Sequence, residues 1–284
     1  MHPTTNPTER YLAVDSLRGI AALSVTLFHL HIQAFQGVES GVLSFLSSIF
    51  QYGYLGVPIF FVISGFVIAA TVKPPDVTFH YIGKFVVKRS ARLDPPYWLS
   101  IALEIALIYV TIRVFHIDEK VPGAAQIVAH FFYAQNLLGM GDIAANYWTL
   151  CLEVQFYVFL ALVFAFANRL RRSQAHAAII QHFTATTFTA TGLLSLLIAA
   201  GLLQNPWQGL FLSHWYLFLL GATCYWASVA RSIGKAVFFG YCGLALIVFL
   251  VQLRDNHYVA LNTLLALLTA CFLYLAVARQ KMST

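Results

Sequence analysis

Charge is scarce in this sequence. Of 284 residues, 17 are basic and 11 acidic, 10% in all, against about 25% in an average soluble domain. That shortage excludes an ordinary water-facing surface. Cysteine is scarce too. Cys151, Cys224, Cys242 and Cys271 form no CxxC pair and no Cys–His cluster, so they read as small buried hydrophobes. The opening MHPTTNPTER lacks the charged start, short apolar core and small-residue cleavage site of a secretory signal. The first apolar helix is therefore expected to be retained. No internal repeat, low-complexity tract or soluble domain is visible, and no strand-period alternation points to a barrel.

What fills the sequence is hydrocarbon. Hydrophobic residues make up 60% of the chain, more than the core of one soluble domain of this size could hide. Continuous apolar runs of ~20 residues predict membrane-crossing helices. The expected fold is therefore all-α, a polytopic transmembrane helix bundle of about eight to ten spans, forming one integral-membrane domain over 1–284. Hydropathy marks eight spans, roughly 17–36, 53–71, 96–114, 147–168, 179–203, 210–229, 236–253 and 258–278.

Basic residues sort by side. Arg10, Arg18, Lys73, Lys84, Lys88, Arg89, Arg92, Arg169, Arg171, Arg172, Arg231, Lys235, Arg279 and Lys281 fall on one side of these spans, and only Arg113, Lys120 and Arg254 on the other. The positive-inside rule then predicts cytoplasmic termini. The long outer connection, 115–146, carries the amphipathic stretch AAQIVAHFFYAQNLLGM, expected to be an interfacial or re-entrant helix.

Polar groups inside spans are functional candidates, because hydrocarbon makes unpartnered ones costly. In DSLRGIAALSVTLFHLH, Arg18 and His29 are eleven residues apart. On a helix that is three turns plus about 20°, so both share one face about 16 Å apart along the axis. Asp15 lies close enough to pair with Arg18. Ser64, Glu104, Glu153 and Tyr157 are expected at similar depth. Ser64-Gly65 also reads as a small-residue pair that lets helices approach, and Pro58 as a kink in the same helix. The second basic feature is KFVVKRSARLDPPYW, residues 84–98. Arg89 and Arg92, three apart, can point the same way if helical. Pro95 and Pro96 are expected to open the next span. Paired arginines suit bidentate phosphate binding, with anionic lipid the plainer ligand. No metal is expected: His29 and His31 would point to different faces of a helix.

Together these stretches resemble the acyltransferase type 3 family of membrane O-acyltransferases. The matching text is DSLRGIAA from Asp15 with His29 following, GVPIFFVISGF through Ser64, RSARLDPPYW from Arg89, and WTLCLEVQFY from Trp148 to Tyr157. HWYLFLLG at 214–221 is a faint further echo. The resemblance implies transfer of an acyl group, often acetyl, from cytosolic acyl-CoA to a hydroxyl of a sugar, a lipid-linked glycan or another small acceptor. It also implies a multi-pass protein of a bacterial inner membrane, with no metal and no nucleic-acid partner. The family's functional positions map onto Arg18, His29, Arg89, Arg92 and Glu153. Arg18, Arg89 and Arg92, with Lys88, would bind CoA at a basic entrance leading inward to the imidazole. His29 would act as general base or, alternatively, form an acyl-histidine. Glu153 would orient His29, stabilise its charged form or bind the sugar. Ser64, Tyr97, Glu104, Trp148 and Tyr157 would be substrate contacts. The rival reading is a transporter or flippase using Arg18, His29 and Glu153 as an ion or substrate path.

Overall fold

The computed structural model describes residues 12–35, 41–72, 77–169, 177–229 and 232–283. Arg10, Lys73, Arg171, Arg172 and Arg231 of the basic side lie outside them. Among the described residues the chain is helical, without strands. Ten α-helices run in order: α1 Leu12–Leu30, α2 Gly41–Phe50, α3 Gly56–Thr71, α4 Phe79–Val114, α5 Ala124–Phe131, α6 Tyr147–Arg169, α7 Ala177–Ala199, α8 Trp215–Val229, α9 Ser232–Asp255 and α10 His257–Ser283. Among the described residues six segments are long and apolar enough to cross a membrane: Leu12–Ala34, Gly41–Thr71, Phe79–Val114, Tyr147–Arg169, Ile233–Asp255 and His257–Arg279. The spans expected near 179–203 and 210–229 correspond to the shorter apolar helices Phe183–Ala199 and Trp215–Val229. The chain is thus built as an integral membrane protein.

Two compact units divide the chain. The first joins residues 1–71 to 216–284, and the second is 72–215. Within the first, small residues set the helix spacing. A Cβ on Gly53 would collide with the Ser24 carbonyl oxygen, and one on Gly56 with that of Ala21. The α1 backbone therefore lies directly on the start of α3. Gly65 faces the Phe218 carbonyl of α8, and Gly221 faces that of Val62. Close backbone approach of this kind holds helices together where lipid offers no hydrophobic driving force. Pro58 does not kink α3. It is the third residue of that helix, in the first turn, where its missing amide donor would have had no intrahelical partner.

The second unit contains α4 to α7 and their connections. α4 is one helix of 36 residues, capped by Thr78, whose hydroxyl accepts the Tyr81 amide at 3.1 Å. Pro95 and Pro96 lie inside it and do not open a new helix, contrary to the expectation for 96–114. Packing on both sides of the prolines explains the continuity. Phe79 meets Phe166, Phe85 meets Tyr157, and Tyr97 meets Tyr147, at ring separations of 5.3, 6.4 and 5.0 Å. These contacts tie both halves of α4 to one antiparallel partner, α6, which offsets the two lost amide donors. The amphipathic stretch of the 115–146 connection forms only α5, eight residues long. At 1.5 Å per residue it spans about 12 Å and cannot cross a ~30 Å hydrocarbon layer.

Candidate functional site

The antiparallel register of α4 and α6 fixes where Arg89 goes. Because α4 starts at Phe79, Arg89 lies ten residues, about 15 Å, inside the helix. It stands level with Glu153 and Tyr157 on α6. Its Nη2 is 3.4 Å from Glu153 Oε1, with the two side chains 26% and 23% exposed. The guanidinium carbon lies 3.6 Å over the centroid of the Tyr157 ring. Arg89 Nη2 also donates to the Tyr157 hydroxyl, which in turn donates to Glu153 Oε1. Cation, carboxylate and phenol thus close a ring of charge-assisted contacts. Glu153 and Tyr157 are four apart on α6, so the helical period places both toward the same neighbour.

Arg89 and Tyr157 of this trio line a cavity of about 400 Å³. Arg89, Ser90, Asp94, Tyr133 and Tyr157 supply its polar lining. Phe85, Leu93, Trp98, Phe131 and Val154 are among its apolar walls. Its size falls within the range of small-molecule sites. Tyr133 donates its hydroxyl hydrogen to Asp94 Oδ1 at 2.9 Å. Its ring stacks on Tyr97 at 4.7 Å. Burial first, then the bond to Asp94, holds the Tyr133 phenol well above its ordinary pKa, so it remains a donor at working pH.

A polar knot in the 115–146 connection builds this wall. His130 is fully buried. Its Nδ1–H donates to the Gln126 carbonyl at 2.7 Å, and its Nε2 accepts the Ile143 amide at 3.1 Å. Those partners fix a neutral tautomer, and the ring is structural. Gln135 Nε2 donates to Asp142 Oδ1 at 3.2 Å, and burial raises the Asp142 carboxyl pKa. Cys151 Sγ donates to the Tyr133 carbonyl at 2.8 Å, pinning the loop to α6. Gln155 bridges farther: its Nε2 donates to Gly209 O at 2.9 Å and its Oε1 accepts the Phe211 amide at 3.1 Å. Gly209 lies against the Asn136 carbonyl with no room for a Cβ.

The remaining predicted residues separate. Lys88 and Arg92 are exposed on α4. Arg92 therefore does not share the inward pairing of Arg89, although three residues separate them. Tyr97 is buried and stacked, at 4% exposure. Glu104 is partly buried, fifteen residues and about 22 Å along α4 from Arg89, and lies within electrostatic reach of Tyr147. Trp148 packs its ring 5.3 Å from that of His214. In the other unit, α1 runs unbroken through Arg18 and His29, so both occupy one helical face. Both are partly exposed. The His29 ring meets Phe28 edge-on at 5.8 Å. His31 opens a π-helical turn and bonds Ser47 Oγ through Nδ1 at 2.9 Å. Ser64 is buried in α3 beside the close contact of Gly65. Of the cysteines, Cys151 and Cys224 are buried, Cys242 is partly exposed and Cys271 is exposed.

Asp94, Tyr133 and Gln155 escaped sequence reasoning. Asp94 was visible only as part of the basic stretch. Tyr133 was hidden in an amphipathic run. The sole sequence signal for Gln155 was a polar residue two positions from Glu153 on an apolar helix.

The acyltransferase-domain family model of type 3 matches residues 11–282. ORF330 of Acidianus two-tailed virus, an acetyltransferase by name, is 29% identical over 179 residues, 63% of this chain and 48% of its own length. Peptidoglycan O-acetyltransferase OatA of Listeria monocytogenes is 27% identical over 174 residues, 56% of this chain and 25% of the relative. O-acetyltransferase OatA of Staphylococcus aureus is 28% identical over 167 residues, 55% of this chain and 25% of the relative. The chain therefore spans between a quarter and about half of the length of these relatives. No solved structure matches it. Matched over nearly its whole length, the chain belongs to the acyltransferase type 3 family.

Proposed function

We propose that this chain is an integral-membrane O-acyltransferase that moves an acetyl group from cytosolic acetyl-CoA to a hydroxyl of a carbohydrate acceptor. The observation that carries this reading is the Arg89–Glu153–Tyr157 constellation, of which Arg89 and Tyr157 line a cavity. It gathers three residues of two family-like motifs that lie 64 and 68 positions apart in the chain. Relatives named as O-acetyltransferases, two of them for peptidoglycan, support the acetyl group and the sugar.

Each residue then has a chemical role. Lys88 and Arg92, exposed on α4, supply cations suited to the CoA phosphates, and Arg18 on α1 is a further cation of the same kind. Arg89 binds and fixes the Glu153 carboxylate, and so positions the site next to the donor-binding cations. His29 is the general base. It removes the proton from the acceptor hydroxyl as that oxygen attacks the thioester carbonyl. The C–S bond breaks, the ester C–O bond forms, and the proton passes from the imidazole to the departing CoA thiolate. Glu153 and Tyr157 contribute hydrogen bonds to the reacting groups. The apolar helices fit an integral-membrane enzyme, which this reading places in a bacterial inner membrane with its basic side toward the cytosol.

The test is direct. Purified protein in proteoliposomes, given radiolabelled acetyl-CoA and a peptidoglycan-type saccharide, should form labelled ester and free CoA in equal amounts. Movement of saccharide across the membrane with no ester formed would replace this reading with a transporter.

A further inference from the structure

Beside the trio, a second polar group faces the same cavity and has no part in the chemistry above. Asp94 lies five residues beyond Arg89 on α4 and lines the cavity. One of its oxygens accepts from Tyr133 at 2.9 Å. Its other oxygen accepts no hydrogen bond from the described residues. An ionised carboxylate only accepts hydrogen bonds, and it is stable in a site of this kind when a donor completes it.

The partner of Asp94 is held at a cost. Tyr133 has φ +54°, a left-handed conformation uncommon for a residue with a bulky side chain. Four contacts impose it: the Tyr133 amide to His130 O at 3.1 Å, the Ala134 amide to Ala129 O at 2.9 Å, Cys151 Sγ to Tyr133 O at 2.8 Å, and the stack on Tyr97. Backbone strain concentrates where a side chain must be aimed, and this strain aims a phenol at Asp94. Trp98, edge-on to Phe131 at 5.5 Å, adds an aromatic wall to the same cavity. A carboxylate with a free oxygen beside aromatic walls suits a molecule that offers hydroxyl donors and an apolar ring face. The phosphate-rich end of CoA offers negative charge instead, which Asp94 repels.

We propose that Asp94, oriented by Tyr133, is the residue that binds and selects the acceptor, by taking a hydrogen bond from one of its hydroxyls in this cavity. The inference rests on the O-acyltransferase reading and assigns the acceptor half of that site. Asp94 takes no part in bond making; it sets where the acceptor lies.

Two readouts test it. In steady-state transfer to a tri-N-acetylglucosamine acceptor, Asp94→Asn should raise the acceptor KM about tenfold, as expected for losing the charged part of one hydrogen bond. The acetyl-CoA KM should stay unchanged. Tyr133→Phe should move the acceptor KM in the same direction by a smaller factor. A rise in the acetyl-CoA KM instead, or a fall in kcat with both KM values unchanged, would overturn the assignment. The second readout needs no turnover. Carbodiimide coupling of Asp94, followed by peptide mass spectrometry, should slow when the saccharide is present and not when CoA alone is present. If the wild-type protein forms no ester, the O-acyltransferase reading falls, and the protection experiment alone decides the role of Asp94. Protection by saccharide upholds it; unaltered coupling refutes it.

Discussion

Removing either end of the Arg89–Glu153 pair exposes how much of the site depends on it. Arg89→Ala leaves a half-buried carboxylate, and Glu153→Gln leaves a half-buried guanidinium. Breaking a buried ion pair by deleting one partner costs about 3–5 kcal/mol. The side chains here are 26% and 23% exposed, so solvent screens part of that, leaving about 2–3 kcal/mol for each single variant. The guanidinium stack on Tyr157 adds about 0.5–1 kcal/mol that only Arg89→Ala loses. The double variant has no orphaned charge, so its cost should fall short of the summed singles by about 1.5–3 kcal/mol. Reversible unfolding in detergent, followed by tryptophan fluorescence, measures all four corners of that cycle. Additivity within about 0.5 kcal/mol would refute the pairing. It would also remove the geometric basis for placing Arg89 beside Glu153.

Four further outcomes follow from the packing and the loop. Gly65→Ala and Gly221→Ala each push a methyl into a facing carbonyl across α3 and α8; each should lower the unfolding midpoint by about 1–3 kcal/mol equivalent, and no loss would deny the close contact. Gly209→Ala, set against Asn136 O, should cost a similar amount and loosen the 130–147 loop, read by amide hydrogen exchange. His130→Ala removes the acceptor of Ile143 N–H and the donor to Gln126 O; with the ring fully buried, a loss of about 2–4 kcal/mol is expected, and a neutral effect would mean that neither bond forms. Burial raises the Asp142 carboxyl above its ordinary 3.8, so the folded loop binds its proton more tightly than the unfolded chain. Loop stability should therefore fall as pH rises from about 3.8 toward the raised value and then level off. Asp142→Asn should flatten that dependence, and an unchanged pH profile of loop exchange would contradict the shift.

Much of the architecture was legible because the bilayer leaves so few choices. Long apolar runs had to be helices, and α6 lies within a residue of its expected limits. The Arg18–His29 face followed from spacing alone, since α1 is unbroken over both. The register of α4 was not legible. Two consecutive prolines read locally as a helix start, while their accommodation depends on packing along α6, which no local pattern encodes. Moving the start of that helix back to Phe79 carries Arg89 from the entrance to the level of Glu153. Asp94–Tyr133 was hidden for a related reason. It depends on a left-handed residue held not only by the end of α5 just before it but also by Tyr97 of α4 and Cys151 of α6, both distant in sequence. The same holds for Gln155, whose two partners lie 54 and 56 residues away.

The proposed transfer depends on the imidazole of α1. Ester formation from labelled acetyl-CoA by purified wild-type protein, compared with His29→Ala at equal detergent stability, measures its role without further inference. A general base contributes about 10²–10⁴-fold, so the variant should retain no more than about one hundredth of the wild-type rate. A variant that forms ester at the wild-type rate would contradict the mechanism.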